Sequence, residues 1–403
     1  MRIAVVHRAW SKSGGAESYL DLVLPALGAR GHQLAFLSQE GGGEAAGEIS
    51  LPAHSPRWSI AQLGERTVLN HLRVWRPDLL FVNWSLDAAL EASLLRLAPA
   101  VLFAHAYWGA CISGYKRWAN AGFAQCQRRL GWPCLLHYYP HRCGGLNPLR
   151  MARDFALQRR RARRMGGYRT LLVASQYVRE EYIRQGLDPA LIRCIYLPVR
   201  DGGEAGSIEK DCAQGELRLL FAGRMTALKG GAMLLSALSQ VVQRLGRSLL
   251  LTLVGDGPER ARWQAQAKQV EAALPQVRIH FAGWAGGAEL TRWFEHSHLL
   301  IVPSLWPEPF GLIGPEAGLQ GLPAVAFAVG GIPEWLQDGV NGALAPASQL
   351  NSDNLAEAIA RCLRDPAQYA RLRMGAQAQA RRFALERHLQ QLVELFGEVA
   401  LNH

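Results

Sequence analysis

Short apolar runs, each leading into a loop and then a helix-length segment, recur along this chain and constrain its fold more than any other feature. The first run, Ile3 to Val6, is followed by a Gly14-Gly15 turn and an amphipathic stretch from Ala16 to Ala29 that Gly31 ends. Further runs lie at Leu79 to Val82, Val101 to Ala104 and Thr170 to Ala174. Runs this short, separated by helical periodicity, are the pattern of a parallel sheet wrapped by helices. After Leu197-Pro198 comes a polar, glycine-rich stretch, and a second alternation begins, with runs at Leu217 to Ala222, Leu249 to Val254, Val277 to Ala282, Leu299 to Val302 and Ala324 to Phe327. A chain of 403 residues exceeds what one hydrophobic core usually organises. The expectation is an α/β protein of two doubly wound, Rossmann-like domains facing a cleft. The first spans residues 1–198 and would bind the acceptor, a linker follows at 199–216, the second domain spans 217–380, and a C-terminal helix at 381–403 packs back on the first. In open parallel sheets ligands sit at the carboxyl ends of strands, so chemistry-bearing motifs should lie just after these runs.

No stretch of about eighteen apolar residues is present. The N-terminal run ends at His7 and Arg8, too soon for a secretory leader, so the protein is expected to stay in the cytoplasm. Seven cysteines, an odd number, fit reduced thiols better than a disulfide framework. A formal net charge of +11 draws the chain toward phosphates, nucleic acid or an acidic membrane surface.

Three segments carry candidate chemistry. Phe221 to Gly231 is a strand end followed by Gly223, Arg224, Lys229 and a helix start at Gly230. Amides at a helix N-terminus, an arginine fork and a lysine point charge suit a diphosphate, although two solvated cations beside a loop read the same way. Leu253 to Glu259 holds a Gly-Asp-Gly-Pro turn, with Pro258 suited to a first helical turn, Asp256 to its cap and Gly255 to close backbone approach. The third segment, Pro303 to Glu316, is dense in proline and glycine and runs into a helix near Gly314 or Pro315; Gly330-Gly331-Ile-Pro-Glu334 follows it. Carboxylates grip vicinal hydroxyls, so Glu308 and Glu316 are candidates to hold two sugar rings.

In these segments the chain resembles the retaining glycosyltransferases of GT-B architecture, specifically family four with its paired-glutamate motif. The likeness takes in Gly14-Gly-Ala-Glu17, Gly223-Arg224 with Lys229, Gly255-Asp-Gly-Pro258, Phe281-Ala-Gly-Trp284, the glutamate pair and Gly330-Gly-Ile-Pro-Glu334. It implies that Arg224 and Lys229 bind the donor diphosphate, Glu316 the ribose and Glu308 the transferred sugar. It further implies that Phe310, Gly311 and Leu312 offer backbone amides to the donor, that Gly15 lies in a donor-binding loop and that Trp284 faces the base. His105, in Leu102-Phe-Ala-His-Ala-Tyr-Trp108, resembles the histidine that faces the donor sugar; many relatives follow it with aspartate, and here Ala106 stands there. Catalytic roles would fall to Glu308, His105, Arg224 and Lys229. The reaction implied is transfer, with retention by same-face attack, from a UDP- or GDP-sugar to a hydroxyl of a glycan or lipid-linked glycan. Cell-surface polysaccharide or glycolipid synthesis is the expected setting. No Asp-x-Asp signature is suitably placed, so neither a metal nor a further cofactor is expected.

Between Arg142 and Arg164 eight arginines stand against one acid, Asp154. At helical periodicity Arg150, Arg153, Arg160, Arg161 and Arg164 share one face, and Met151, Phe155, Ala162 and Met165 the opposite one. This Arg150–Arg164 helix suits an anionic membrane surface or an acceptor's phosphates, and equally a solvated basic face. The stretch from His105 to Gly145 concentrates aromatics together with Cys111, Cys126, Cys134 and Cys143, at spacings that do not make a zinc signature. Nucleic acid is not an expected partner, because no nucleic-acid motif accompanies the charge. The rival readings are a nucleotide-sugar epimerase of the same architecture and a non-catalytic sugar- or nucleic-acid-binding protein.

Overall fold

The computed structural model describes residues 1–11, 14–41, 47–84, 87–120, 124–200, 212 and 215–401. The chain forms two compact units: Met1–Lys116 with Gln127–Pro198 and Leu385–His403, and Arg117–Cys126 with Val199–Ala384. Most of the expected 199–216 linker lies outside the described residues.

The first unit is built on strands β1 (Arg2–His7), β2 (Gln33–Ser38), β3 (Arg57–Ser59), β4 (Leu79–Val82), β5 (Ala100–Phe103), β6 (Thr170–Val173) and β7 (Ile192–Cys194). All pair in parallel, in the order β3-β2-β1-β4-β5-β6-β7. Central strands such as β4 and β5 are buried at every position, which is why they read as continuous apolar runs rather than as alternation. The order reverses between β1 and β4, opening a crevice at their carboxyl ends. The helix Leu385–Leu401 completes this unit: Leu389, Leu392 and Phe396 are buried, and the Phe396 ring meets Phe81 edge-on at 5.1 Å.

The second unit repeats the plan with β8 (Leu217–Ala222), β9 (Leu249–Val254), β10 (Val277–Gly283), β11 (Leu299–Val302), β12 (Ala324–Phe327) and β13 (Gly342–Ala345), in the order β10-β9-β8-β11-β12-β13. The corresponding crevice opens where β8 meets β11.

The basic helix runs over Pro148–Arg164, and Asn147 caps it by accepting from the Leu149 and Arg150 amides at 3.0 and 3.1 Å. Its inward face holds Met151, Phe155 and Gln158, whose Oε1 accepts from the Gly109 amide at 2.7 Å. The arginine face expected from periodicity is not uniformly exposed. Arg150, Arg153, Arg160 and Arg163 are exposed, whereas Arg161 and Arg164 are half-buried. Arg164 reaches Glu91 at 3.3 Å, and that buried carboxylate, which also accepts from the Tyr168 hydroxyl at 2.6 Å, is what turns it inward.

Backbone crowding fixes the loop after β12. Gly330 has φ of +60°, and a Cβ there would overlap the backbone of Glu308. Gly330→Ala should therefore cost on the order of 2–4 kcal/mol in urea unfolding. Gly15→Ala, whose added Cβ meets nothing within 4 Å, should be nearly neutral in the same measurement.

Candidate active site

In the second unit β11 ends at Val302, and the loop that follows from Pro303 carries Glu308 back against the turn Ala227–Lys229. The Leu305 amide donates to the Leu228 carbonyl at 2.8 Å, which ties the two segments together. Glu308 is 4% exposed, and three donors converge on one of its oxygens, Oε1. Lys229 Nζ lies 2.6 Å away, Ser304 Oγ 2.6 Å and Trp306 Nε1 3.0 Å. A carboxylate loses its water on burial, and this cation with two neutral donors compensates. The other oxygen, Oε2, accepts no hydrogen bond among the described residues. The group is thus oriented through one oxygen and can accept from a ligand hydroxyl through the other.

Glu316 lies in the first turn of the short helix Ile313–Leu319 and is half-buried. Burial pushes its carboxyl from the ordinary 4.5 up to about 7, with Arg200 nearby opposing the rise. Just upstream, the Gly311 and Leu312 amides donate to no group among the described residues, while their carbonyls accept from Gly314 and Glu316. The Phe310 ring is buried against Phe383, centroids 5.3 Å apart, and its carbonyl accepts from Trp335 Nε1 at 2.7 Å. Only its backbone faces the loop.

Arg224 is exposed just past β8. Gly223 and Gly255 end neighbouring strands, and a Cβ on Gly255, at φ +129°, would overlap the Gly223 carbonyl. Protein backbone therefore fills the space where a side chain at Gly255 would stand. The helix after the Gly-Asp-Gly-Pro turn begins at Arg260 with no side-chain cap, so Pro258 precedes the first turn and Asp256 does not cap it. Asp256 instead accepts from the Gly257 amide at 2.6 Å and pairs with Arg260 at 2.8 Å; these bonds hold its carboxyl below the usual range. Trp284, at the end of β10, is 78% exposed.

In the first unit the polar groups gather where β1, β4 and β5 end. His105 Nε2 lies 3.0 Å from Asn83 Oδ1, and its ring lies tilted against Phe103, centroids 4.1 Å apart. Asn83, just past β4, is fully buried. His7 closes β1, and its two nitrogens meet the Asn83 carbonyl at 3.2 Å and Glu17 Oε1 at 3.0 Å. Gly15 opens the helix Gly15–Ala29 and is exposed, with Glu17 in the first turn. Burial, and then the charge of His7, pull His105 down to about 3, only partly offset by Glu17. Sequence reasoning did not single out His7, Asn83, Ser304 or Trp306. All four sit at or just beyond a strand end, the position that marks ligand-side residues in a parallel sheet.

Two parallel sheets of matching strand order give the chain the GT-B architecture, and a lysine-held glutamate stands at the switch point of the second. Residues 13–201 match the family described as Glycosyltransferase Family 4, and residues 216–365 match Glycosyl transferases group 1. The family 4 match thus falls on the first half of the chain and the group 1 match on the second. A D-inositol 3-phosphate glycosyltransferase of Streptomyces bingchenggensis is 28% identical over 247 residues, 58% of this chain and 54% of the relative, so the chain spans about half of that protein's length. The solved structure of Anabaena HepE in complex with UDP and glucose superposes with a TM-score of 0.66 at 20% identity, covering 99% of this chain and 100% of the other. Sucrose-phosphate synthase from Thermosynechococcus elongatus gives 0.75 at 18% identity, covering 100% of both chains. These likenesses show the fold.

Glu316 makes the free protein's stability depend on pH. Its folded pKa is raised, so its contribution is intact below about pH 4.5 and lost as pH rises through about 7. Glu316→Gln should remove that loss. The variant should gain on wild type by up to about 3 kcal/mol between mildly acidic and alkaline buffer, measured by urea unfolding at each pH.

Proposed function

We propose that this protein is a retaining glycosyltransferase that moves a sugar from a UDP- or GDP-sugar to a hydroxyl of a glycan or lipid-linked glycan, in cell-surface polysaccharide or glycolipid synthesis. The observation that carries this reading is Glu308, anchored through Oε1 by Lys229, Ser304 and Trp306, with Oε2 left for a sugar hydroxyl. Glu316 takes the ribose hydroxyls, which suit an ionised carboxylate, so its raised pKa gives nucleotide binding a proton-release step near neutrality. Arg224 and Lys229, with the amides of Phe310, Gly311 and Leu312, neutralise the diphosphate as it leaves, and no metal is required for that task. Trp284 offers an exposed indole to the base, Gly15 an open backbone to the donor, and His105 a ring to the sugar. The capture of UDP and glucose by HepE supports a uridine donor. The acceptor proton passes to the leaving phosphate in same-face attack.

Donor identity and the division of labour are tested together. Thermal-shift screening against UDP, GDP and their glucose, galactose and N-acetylglucosamine conjugates should give one stabilising nucleotide. Glu316→Ala should then weaken its binding about tenfold to a hundredfold. Glu308→Ala should leave binding nearly intact and slow transfer about a hundredfold or more. Wild-type affinity and rate in both variants would overturn the assignment, and epimerised sugar formed without acceptor would favour the epimerase.

The acceptor side, in this reading, meets an anionic membrane on its cytoplasmic face. No helix among the described residues is long and apolar enough to cross a membrane. Surface contact is favoured by Trp132, Leu136, Leu146 and Leu149, exposed by 66, 64, 85 and 80%, in the same segment as the outward Arg153, Arg160 and Arg163. Aromatic and leucine side chains enter the headgroup boundary while arginines pair with lipid phosphates. The protein should sediment with phosphatidylglycerol vesicles and stay free of phosphatidylcholine ones. Arg153, Arg160 and Arg163 changed together to Ala should lower the affinity by about 1 kcal/mol per arginine. Failure of wild type to bind either vesicle would exclude the membrane.

A further inference from the structure

The cluster at the ends of β1, β4 and β5 determines which nitrogen of His105 carries hydrogen. Asn83 Nδ2 lies 3.2 Å from the Phe81 carbonyl, a group that only accepts, so the amide nitrogen is assigned to that side and Oδ1 to the other. Oδ1 in turn only accepts, and it lies 3.0 Å from His105 Nε2, so the ring hydrogen sits on Nε2. A neutral imidazole has one such hydrogen. Nδ1 is therefore a bare lone pair, and it makes no hydrogen bond among the described residues.

The surroundings resist a second proton. His7 Nδ1 donates to the Asn83 backbone carbonyl, and the contact from His7 Nε2 to Glu17 Oε1 at 3.0 Å holds a proton between the two groups. Tyr19 presents its ring to His105, centroids 5.5 Å apart, while its hydroxyl is engaged with His388 Nε2 at 3.0 Å. His388 Nδ1 donates to the Tyr196 carbonyl at 2.8 Å, which leaves its Nε2 as the acceptor. The titratable groups around the His105 ring are thus His7, Glu17 and Tyr19, with Phe103 tilted against its face. Burial first, and then His7, pull His105 down to about 3, which keeps the ring neutral through the physiological range.

We propose that Asn83 is a positioning residue that locks His105 as the Nε2–H tautomer, so that Nδ1 meets the transferred sugar solely as an acceptor for one of its hydroxyls. The His7–Glu17 pair backs this arrangement by fixing the Asn83 backbone. The proposal rests on the reading of His105 as the sugar-facing residue of the first unit. It gives that residue a specificity: a sugar hydroxyl satisfies a bare nitrogen, whereas a carboxylate at the same place finds no donor.

The test is imidazole nitrogen NMR on full-length protein labelled with 15N-histidine, with the His105 signals assigned from a His105→Gln spectrum. Wild type should show the Nε2–H tautomer without charging between about pH 8 and 5. Asn83→Leu should relax the ring to a mixture of tautomers. Asn83→Asp should keep Nε2–H yet raise the pKa into that window, because a carboxylate then faces the ring. With UDP-glucose as donor probe, Asn83→Leu should lower kcat about tenfold with little change in KM. Asn83→Asp should recover most of the rate in alkaline buffer and lose it as pH falls; a merely structural role would slow both variants alike at every pH. Thermal melts of each variant report on folding. A wild-type Nδ1–H tautomer, a charged ring at neutral pH, or a wild-type rate in Asn83→Leu beside a slowed His105→Ala would overturn the role of Asn83. A wild-type rate in His105→Ala would overturn the reading of His105 itself.

Discussion

An ionised carboxylate can be buried at a strand end only if a cation and further donors come with it, and Glu308 imposes that condition on most of its unit. Because the cation is Lys229, the turn Ala227–Lys229 and the helix Gly231–Leu245 behind it have to stand beside the end of β11. Pairing of β11 with β8 brings them there. The same loop gives its Glu308 carbonyl to the Gly331 amide at 2.7 Å, which draws in the turn after β12. Three segments far apart in sequence are thereby held by one side chain and its backbone. Removing Lys229 leaves Ser304 and Trp306 as donors but no compensating charge, so loss of the cation should disturb the site more than loss of either neutral partner.

Much of this was legible beforehand, for a physical reason. Strands buried on both faces must be apolar throughout, so β1, β4, β5, β6, β8, β9, β11 and β12 announced themselves as runs. β3 and β7 are edge strands of three residues, too short to show a period, and β13 carries Gly342 and two alanines, too small to read as a strand. Glu308, Glu316 and Lys229 stood out as charges inside glycine- and proline-rich loops. Ser304 and Trp306 lay in the same loop and were passed over, because a hydroxyl or an indole is ordinary in any loop until a carboxylate is found within its reach. Gly255 was ambiguous for a related reason. A glycine at a strand end signals close approach, but sequence does not say by what; the Gly223 carbonyl is one group that approaches here.

Neutral groups do in the first unit what a cation does in the second. The family resemblance leads one to expect aspartate after the histidine, as in many relatives, and Ala106 offers no side-chain acceptor in its place. The Ala106 carbonyl lies within hydrogen-bond reach of the Tyr182 hydroxyl at 3.0 Å, so the backbone there serves to hold the loop. The acceptor for His105 comes instead from Asn83, on the neighbouring strand and uncharged. A carboxylate beside the ring would raise its pKa, and an amide leaves it low. Exchanging the partner therefore changes the charge state available to His105 while preserving its hydrogen bond.

Sign and placement of charge matter separately on the helix Pro148–Arg164. Its formal charge overstates what it shows to solvent, because Arg161 and Arg164 turn toward a half of the unit that contains the buried Glu91. Burial also lowers the Arg161 pKa, and its Nε has no hydrogen-bond partner among the described residues. What remains outward is a mixture, with Leu149 and Leu157 among Arg153, Arg160 and Arg163. A face evolved only for solvation has no use for leucine among its arginines, and single exposed leucines are ordinary. Here Trp132, Leu136 and Leu146 are exposed in the same stretch of chain. In the membrane reading proposed above, that concentration of uncovered apolar side chains, more than the charge, is what suits a partner with both phosphate and hydrocarbon to offer.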